Sequence, residues 1–316
     1  MHSAAEANSR SATSSSTLWR ESVSLRSWGE RLIHVGLFCS AALSVLTTLG
    51  IVVVLISESL GFFAEVSPWE FLSGTRWSPL IRPQSFGVLP LVCGTVWVAA
   101  GAAIIALPLG LASAVYLSEY ASVWFREVIK PTLEILAGVP SVVFGYLAVV
   151  FISPAVKAVI PSAGVFNAVN AAVVVGIMVL PMVISLSEDV LRSVPRSLRE
   201  AASALGATQF DVSVRVVVPA GLSGVIASFI LAISRAIGET MAVTMAAGAT
   251  PNLTLNPFES VQTMTAYIAQ VSMGDTPAGT IEYHTIFAVG LTLFAITLAM
   301  NLLARWIKAR YQEVYE

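Results

Sequence analysis

The amino-acid sequence predicts an all-α integral membrane protein with six transmembrane helices. Hydrophobic residues make up 56% of the 316-residue chain and charged residues only 11%, whereas an ordinary soluble domain is about one quarter charged. The mean hydropathy is +0.81, and six runs of the sequence reach the roughly 20 apolar residues that a spanning helix needs. Their continuous apolar character excludes the alternating strands of a transmembrane barrel.

The first 30 residues differ from the rest of the chain and predict a disordered cytoplasmic tail. They are rich in Ser, Thr and Ala, and residues 11–17 are of low complexity, so this segment has little to bury. Residues 31–316 form the predicted transmembrane domain. Its six spans are placed at about 35–57, 88–117, 133–153, 168–187, 221–247 and 285–304.

The basic residues predict that both termini face the cytoplasm. With the N-terminus inside, thirteen Lys and Arg residues fall on the inner side and three on the outer side, as the positive-inside rule requires. In the outer segments, Trp69 and Trp77 suit the membrane interface, and residues 259–273 predict a short helix lying at the membrane surface.

Several functional classes are excluded by what the sequence lacks. The net charge of −2 gives no nucleic-acid footprint. Cys39 and Cys93 lie in apolar runs, so neither a disulfide framework nor a metal site is expected. There is no phosphate-binding loop of the form GxxxxGK[ST] and no spacing typical of a nucleophile and its base. The sequence therefore predicts no catalytic residues, no metal and no cofactor.

A charged segment between the fourth and fifth spans predicts a short cytoplasmic helix. Ser197 and Glu200 have the capping-box spacing, and Gly206 marks the end of the helix. A helix of two or three turns is marginal alone in water, so it must rest against something. It is either a connector lying on the bundle or a docking element for another protein. Its apolar positions are Leu198, Ala201, Ala202 and Leu205.

Two charges lie inside the fifth predicted span. Arg235 is about 21 Å along a helix that starts at Gly221, close to the middle of the membrane, and Glu239 follows four residues later. One continuous helix would place both side chains on one face, with Ser228 two turns before Arg235. The pair either locks helices together or lines a path for an anion, since arginine suits oxyanions and stays charged. Because a charge costs about 2.5–3.5 kcal/mol at this depth, we favour the functional interpretation.

The cytoplasmic segment resembles a known family motif. Residues 200–206 (EAASALG), followed by Val218 and Pro219, are similar to the EAA loop of ABC importer permeases, with Val-Pro where Leu-Pro is commoner. The resemblance implies a permease subunit of the type I, MetI-like architecture with a coupling helix at about 196–210. In that family this helix docks on the ATP-hydrolysing subunit, so the resemblance assigns coupling to Glu200, Ala201, Ala202 and Gly206.

From about Arg31 onward the chain resembles the PstC-type permeases of phosphate-specific ABC importers. The resemblance implies that Arg235 and Glu239 serve phosphate passage, with Gly238 and Thr240 in the same motif. It also implies a PstA-like permease partner, two copies of an ATP-binding subunit, an extracytoplasmic phosphate-binding protein, and an inner-membrane location. The matching stretches are residues 86–90 (FGVLP), 107–110 (LPLG), 116–120 (YLSEY), 138–145 (GVPSVVFG) and 235–243 (RAIGETMAV).

Three alternatives stay open at this point. The same class of subunit could carry another oxyanion, such as sulfate or molybdate. A secondary transporter would work without ATPase partners, and inverted internal repeats, of which the sequence shows no sign, would favour it. A membrane scaffold or sensor would not need Arg235 for uptake.

Overall fold

The computed structural model describes residues 3–311, with side chains described from Glu30 to Ile307 and at Arg310. Residues 1–57 and residues 58–316 form two compact units. Helices dominate the described chain, which confirms the predicted all-α class. The predicted disordered tail at residues 1–30 lies outside the residues whose side chains are described, except for Glu30, and stays a prediction.

The elements follow one another with short connections. The N-terminal part contains α1 (Ser3–Glu65), α2 (Pro68–Ser73), β1 (Trp77–Ser78), β2 (Ser85–Phe86) and α3 (Leu89–Val115). The middle contains a π-helical turn (Tyr116–Tyr120), α4 (Val123–Ala137), α5 (Ser141–Leu147), a second π-helical turn (Ala148–Ile152), α6 (Ser153–Val159) and α7 (Ala168–Ser193). The C-terminal part contains α8 (Arg196–Ala204), α9 (Gln209–Val212), a third π-helical turn (Ser213–Val217), α10 (Val218–Ala220), α11 (Leu222–Gly238), α12 (Met241–Ala247), α13 (Met264–Ser272) and α14 (Ile281–Tyr311).

Within the described chain, five helical stretches are long and apolar enough to span a membrane, and a bent pair supplies the sixth. The two arms of that pair, Gln209–Ala220 and Leu222–Gly238, meet at 71°. Six spans were predicted, and the structure differs from the prediction mainly at the third and fifth. The five unbent stretches are Glu30–Glu65, Leu89–Tyr120, Ser141–Val159, Ala168–Ser193 and Ile281–Ile307.

The predicted start of the third span, at residue 133, is wrong. α4 ends at Ala137 and the chain turns through Gly138, after which Pro140 precedes the first turn of α5. Proline lacks an N–H and disfavours helical geometry in the residue before it, so the two helices are separate. α4 carries exposed Trp124 and Ile135, and its apolar last turn had lengthened the apparent span.

The core is built where α3 packs along α7 through small side chains. A Cβ added at Gly101 would lie 2.6 Å from the Ala172 Cβ, and one at Gly176 would lie 3.3 Å from the Ala102 carbonyl oxygen. Small residues let helix backbones approach closely in membranes. α11 packs beside both helices, and its Ala232 and Ala236 enter the same buried cluster.

Trp77 lies in a buried aromatic cluster, so its predicted place at the membrane interface is wrong. Its side chain is 3% exposed, whereas Trp69 is 78% exposed. The Trp77 ring meets Tyr267 edge-on at 4.9 Å and Phe71 at 6.2 Å. Burial raises the pKa of the Tyr267 phenol, against a hydrogen bond shared with Thr285. The cluster joins the loop that precedes α3 to α13.

The helix predicted at the membrane surface is buried instead. α13 covers Met264–Ser272, and Met264, Tyr267 and Val271 are each at most 3% exposed. The segment before it runs so close to α3 that a Cβ at Gly94 would lie 2.4 Å from the Gln262 carbonyl oxygen. The next residue, Thr95, accepts a hydrogen bond from the Met264 N–H at 3.1 Å. These contacts draw the long loop inward.

Gly94→Ala is expected to destabilise the fold because its Cβ collides with the backbone of Gln262. The cost should be about 1–3 kcal/mol, after the gain in helix propensity that alanine brings. The measurement is thermal unfolding of the purified protein in detergent. Gly274→Ala is the matched control, since its Cβ would lie at an ordinary 3.4 Å from the nearest atom. Equal unfolding midpoints for the two variants would contradict the close approach.

Candidate functional site

The fifth span is broken immediately after Arg235. α11 ends at Gly238, Glu239 is extended (φ −68°, ψ 132°), and a new helix starts at Met241. The prediction of one continuous helix over residues 221–247 is therefore wrong. Arg235 and Glu239 do not share one helical face, because the chain changes direction between them.

Contacts from outside α11 hold this break open. The Thr265 hydroxyl donates to the Glu239 carbonyl oxygen at 2.7 Å, and the Glu239 carboxylate accepts from the Ala242 N–H at 3.3 Å. The Thr240 carbonyl oxygen accepts from the N–H and the hydroxyl of Thr244, at 2.9 and 2.7 Å. The Glu239 side chain therefore serves the first turn of α12.

Arg235 lies on an open stripe of α11. Its side chain is exposed, as are Leu231, Gly238 and Met241 on either side of it, and a Cβ at Gly238 would meet no atom within 4 Å. Among residues whose side chains are described, none forms a hydrogen bond or ion pair with Arg235. The predicted alternative of an Arg235–Glu239 pair that locks two helices has no support here. The stripe faces away from the packed core of this chain.

Ser228 is placed differently from its predicted position on the Arg235 face. It is buried and shares a 2.8 Å hydrogen bond with Ser187 of α7, and its hydroxyl lies 2.8 Å from the Val225 carbonyl oxygen. The structure thus uses this hydroxyl to join α11 to α7 and does not bring it to the open stripe.

The predicted short helix after the fourth span exists, but it starts earlier than its capping box implies. α8 covers Arg196–Ala204 with Pro195 in the N-cap position and no side-chain cap. Ser197 is already inside the first turn, so the predicted capping role of Ser197 and Glu200 is wrong. A Pro-initiated turn sets the start of the helix instead.

Gly206 ends α8 as predicted. Its φ of +83° lies in the left-handed region, which favours glycine because a Cβ is strained there. The Gly206 N–H donates to Ser203 and the Ala207 N–H to Ala202, at 3.0 and 3.2 Å. These two bonds form a Schellman C-cap.

α8 divides its apolar residues between two faces. Leu198 and Ala202 pack against the buried cluster formed by the inner ends of the spans. Glu200 and Ala201 are exposed, and Leu205 is 90% exposed. One face of the helix therefore rests on this chain while the other offers a carboxylate, a small surface and a protruding leucine.

Arg199 ties α8 to two spans. Its guanidinium donates to both carboxylate oxygens of Glu119, at 3.0 and 3.1 Å, and Glu119 lies in the π-helical turn at the end of the second span. The same guanidinium donates to the Leu191 carbonyl at 2.8 Å and to the Val194 carbonyl, where α7 ends. The Gln209 side chain adds a bond to the Glu119 carbonyl at 2.7 Å. A movement of α8 is thus connected to both spans.

A second ionic cluster joins α4 to α7. Glu188 is 1% exposed, with the Lys130 Nζ at 2.9 Å and the Arg126 Nε at 3.4 Å; Lys130 also pairs with Asp189. Burial opposes the charge on Lys130, but its hydrogen bonds to Asp189 and Glu188 outweigh that effect and raise the pKa of Lys130. α4 is thereby fastened to the inner end of the fourth span.

Glu188→Gln is expected to cost about 2–3 kcal/mol of unfolding free energy, because two cations lose a buried partner. Asp189→Asn is the matched control: it contacts the same lysine from a side chain 56% exposed, and should cost less than about 1 kcal/mol. Chemical denaturation of the purified protein in detergent measures both. A larger loss for Asp189→Asn would show that burial does not set the strength of this cluster.

The family model described as binding-protein-dependent transport system inner membrane component matches residues 106–313. The chain belongs to this family. The matched region contains α8, the Arg199 contacts and the open stripe of α11. The permease is thus a multi-pass inner-membrane protein with the helical fold of ABC transporter permeases.

Several curated proteins resemble this permease over most of their length. It is 36% identical over 245 residues to the probable ABC transporter permease protein YqgH of Bacillus subtilis, covering 78% of this chain and 79% of that protein. It is 30% identical over 291 residues to the phosphate transport system permease protein PstC of Mesorhizobium japonicum, covering 86% and 88%. PstC 1 of Mycobacterium tuberculosis is 31% identical over 276 residues, covering 76% and 82%.

A solved structure shares the fold of the permease. A chain of the MetNI methionine ABC transporter in an inward-facing conformation superposes with a TM-score of 0.53 at 16% identity, covering 72% of this chain and 95% of that chain. The predicted MetI-like architecture is thereby confirmed.

Three residues important to the geometry of the permease were missed by sequence reasoning. Thr265 holds the break in the fifth span, Glu119 receives Arg199, and Glu188 anchors α4. Two of them carried a signal, since an isolated carboxylate beside an apolar span needs a partner. Thr265 carried none, because its role depends on a fold contact 26 residues away.

Proposed function

We propose that this permease is the PstC-type subunit of an ATP-driven importer of inorganic phosphate. The observation that carries the proposal is the exposed Arg235 guanidinium, which lies without an ion-pair partner, among the described side chains, beside a break in a membrane-spanning helix. A guanidinium offers planar, paired hydrogen bonds that match phosphate oxygens. The names of the PstC relatives support phosphate as the anion.

The proposed path runs along the open stripe of α11 and is completed by a second, PstA-like permease. Phosphate would contact Arg235 beside Gly238 and Thr240, where the backbone is exposed or half-buried. The carboxylate of Glu239, just beyond the break, limits how tightly an anion is held, because passage requires binding that is favourable but brief. Ser228 contributes packing between α7 and α11 and no substrate contact.

The proposed coupling to ATP hydrolysis uses the exposed face of α8. Glu200 and Ala201 lie on that face, Ala202 fixes the helix to the bundle, and Gly206 ends it. Two copies of an ATP-binding subunit would supply the hydrolysis, one of them docking here, and an extracytoplasmic phosphate-binding protein would deliver substrate on the other side. This arrangement places both termini and α8 in the cytoplasm, and leaves the permease without an ATPase site of its own.

Glu200→Lys is expected to lower phosphate uptake at least about tenfold, because charge reversal on an exposed docking face introduces repulsion. Uptake and phosphate-stimulated ATP hydrolysis are measured together in proteoliposomes that contain the complete importer. The control is Arg215→Gln, an exposed residue nearby whose ion pair is with Asp211. Normal uptake and stimulation in Glu200→Lys would contradict the coupling role.

The test of the proposed function is uptake of labelled phosphate into liposomes holding the complete importer. We expect uptake that needs ATP and the binding protein, and that excess sulfate or molybdate does not reduce. Competition by either anion would instead indicate the other-oxyanion alternative. Uptake by the purified permease alone under an ion gradient would indicate a secondary transporter.

A further inference from the structure

A cavity of about 390 Å³ opens beside α8, away from the proposed path. It lies where the second and fourth spans end, next to the first turn of α4. Arginine is its most frequent lining residue. The lining consists of Ser118, Glu119, Val123, Arg126, Arg192, Arg196, Arg199 and Glu200.

Two of its four arginines are already engaged by this chain. Arg199 is paired with Glu119. Arg126 donates to the carbonyl oxygens of Leu117 and Ser118 and lies 3.4 Å from Glu188. Both guanidiniums are therefore held in fixed positions at the wall of the cavity.

The other two arginines have no such engagement. Neither Arg192 nor Arg196 forms a hydrogen bond or ion pair with the side chains and backbone that the structure describes, and both are exposed. Glu200 is the only carboxylate of the lining left to offset them, since Glu119 is occupied. The cavity therefore has an excess of cationic hydrogen-bond donors.

We infer that this cavity binds a phosphate group through Arg192 and Arg196. Guanidinium forks recognise phosphate by paired hydrogen bonds, and basic pockets at the inner ends of spanning helices are suited to anionic headgroups. α8 starts at Arg196 without a capping side chain, so its free N–H groups and helix dipole add to the attraction.

The position of the cavity defines two sources for that phosphate. α4 presents Trp124, 72% exposed, directly after the lining residue Val123, and an exposed tryptophan suits the membrane interface. The headgroup of an anionic phospholipid can therefore reach the cavity from the membrane, and free phosphate can reach it from the aqueous side. Both present the same chemistry to the two arginines.

The experiment counts bound ligands on the purified importer complex by native mass spectrometry. The probes are dioleoylphosphatidylglycerol, dioleoylphosphatidylcholine and inorganic phosphate, titrated separately. Wild type is compared with Arg192→Gln/Arg196→Gln, with the charge-preserving Arg192→Lys/Arg196→Lys, and with Arg215→Gln as control. At about a factor of five per arginine near a surface, the Gln double variant should bind the preferred probe roughly thirtyfold more weakly. The Lys variant should fall between, and Arg215→Gln should match wild type.

Each outcome has a defined meaning. Loss of phosphatidylglycerol binding in the Gln variant identifies a lipid headgroup as the ligand, and loss of inorganic phosphate binding identifies the free anion. Equal binding of every probe by wild type and the Gln variant overturns the inference. Binding that is seen only after the ATP-binding subunits are removed also overturns it, because the cavity would then belong to a protein interface. The readout is binding, so the result is independent of whether the importer carries phosphate.

Discussion

Arg235→Gln is expected to slow phosphate uptake by the complete importer roughly 10- to 100-fold. Glutamine keeps one hydrogen-bond donor group but loses the charge and the planar fork, and a hydrogen bond to a charged group contributes about 1.5–3 kcal/mol. Because Arg235 has no partner among the described side chains, its removal leaves no carboxylate of this chain unpaired. It also removes a charge that is costly within the membrane. The loss should therefore be in transport and not in folding.

The measurement is the initial rate of labelled phosphate uptake in proteoliposomes, at saturating ATP and matched protein content. Arg235→Lys keeps the charge without the fork and should give an intermediate rate. Arg215→Gln, which replaces a side chain 80% exposed, should transport normally. Uptake by Arg235→Gln at the wild-type rate, with thermal stability unchanged, would show that the substrate does not contact this residue.

The number of spanning helices could be predicted from the sequence because each span is a local property. Twenty apolar residues specify a membrane helix whatever their neighbours do. The same rule fails where apolar residues continue past the end of a helix. The last turn of α4 was joined to the third span for this reason, although Pro140 indicated a boundary.

The candidate path could be predicted only in part. Arg235 is conspicuous because an ionisable residue within a span is rare and costly. The break after Gly238 is not, since residues 241–247 continue the apolar run and the extended geometry of Glu239 depends on Thr265. A helical spacing rule therefore put Glu239 and Ser228 on the face of Arg235, whereas tertiary contacts direct both elsewhere.

The inner surface shows the same division between local and distant causes. Gly206 was predictable because a left-handed C-cap selects glycine from the residue type alone. The contact between Arg199 and Glu119 joins residues 80 positions apart, and no spacing pattern encodes such a pair. The buried Trp77 likewise depends on Tyr267, which approaches it from a distant loop.

Glu119→Gln and Arg199→Gln are both expected to uncouple ATP hydrolysis from transport. Arg199 is the connection between α8 and the ends of the second and fourth spans. A weaker connection lets α8 move without moving the spans. Coupling free energies between sites are typically about 1–3 kcal/mol, equivalent to roughly 5- to 150-fold. We therefore expect the number of phosphate ions transported per ATP hydrolysed to fall at least about fivefold, while ATP hydrolysis itself continues.

A double-mutant cycle separates this role from a general loss of packing. If the two side chains act through one contact, combining the substitutions adds little to the effect of Arg199→Gln alone, since interacting residues are non-additive. Arg199→Gln should be the more severe single change, because it also removes the bonds to the Leu191 and Val194 carbonyls. A purely structural role predicts that transport and hydrolysis decline together in proportion to the folded protein, and fully additive effects would place the transmission of movement outside this pair.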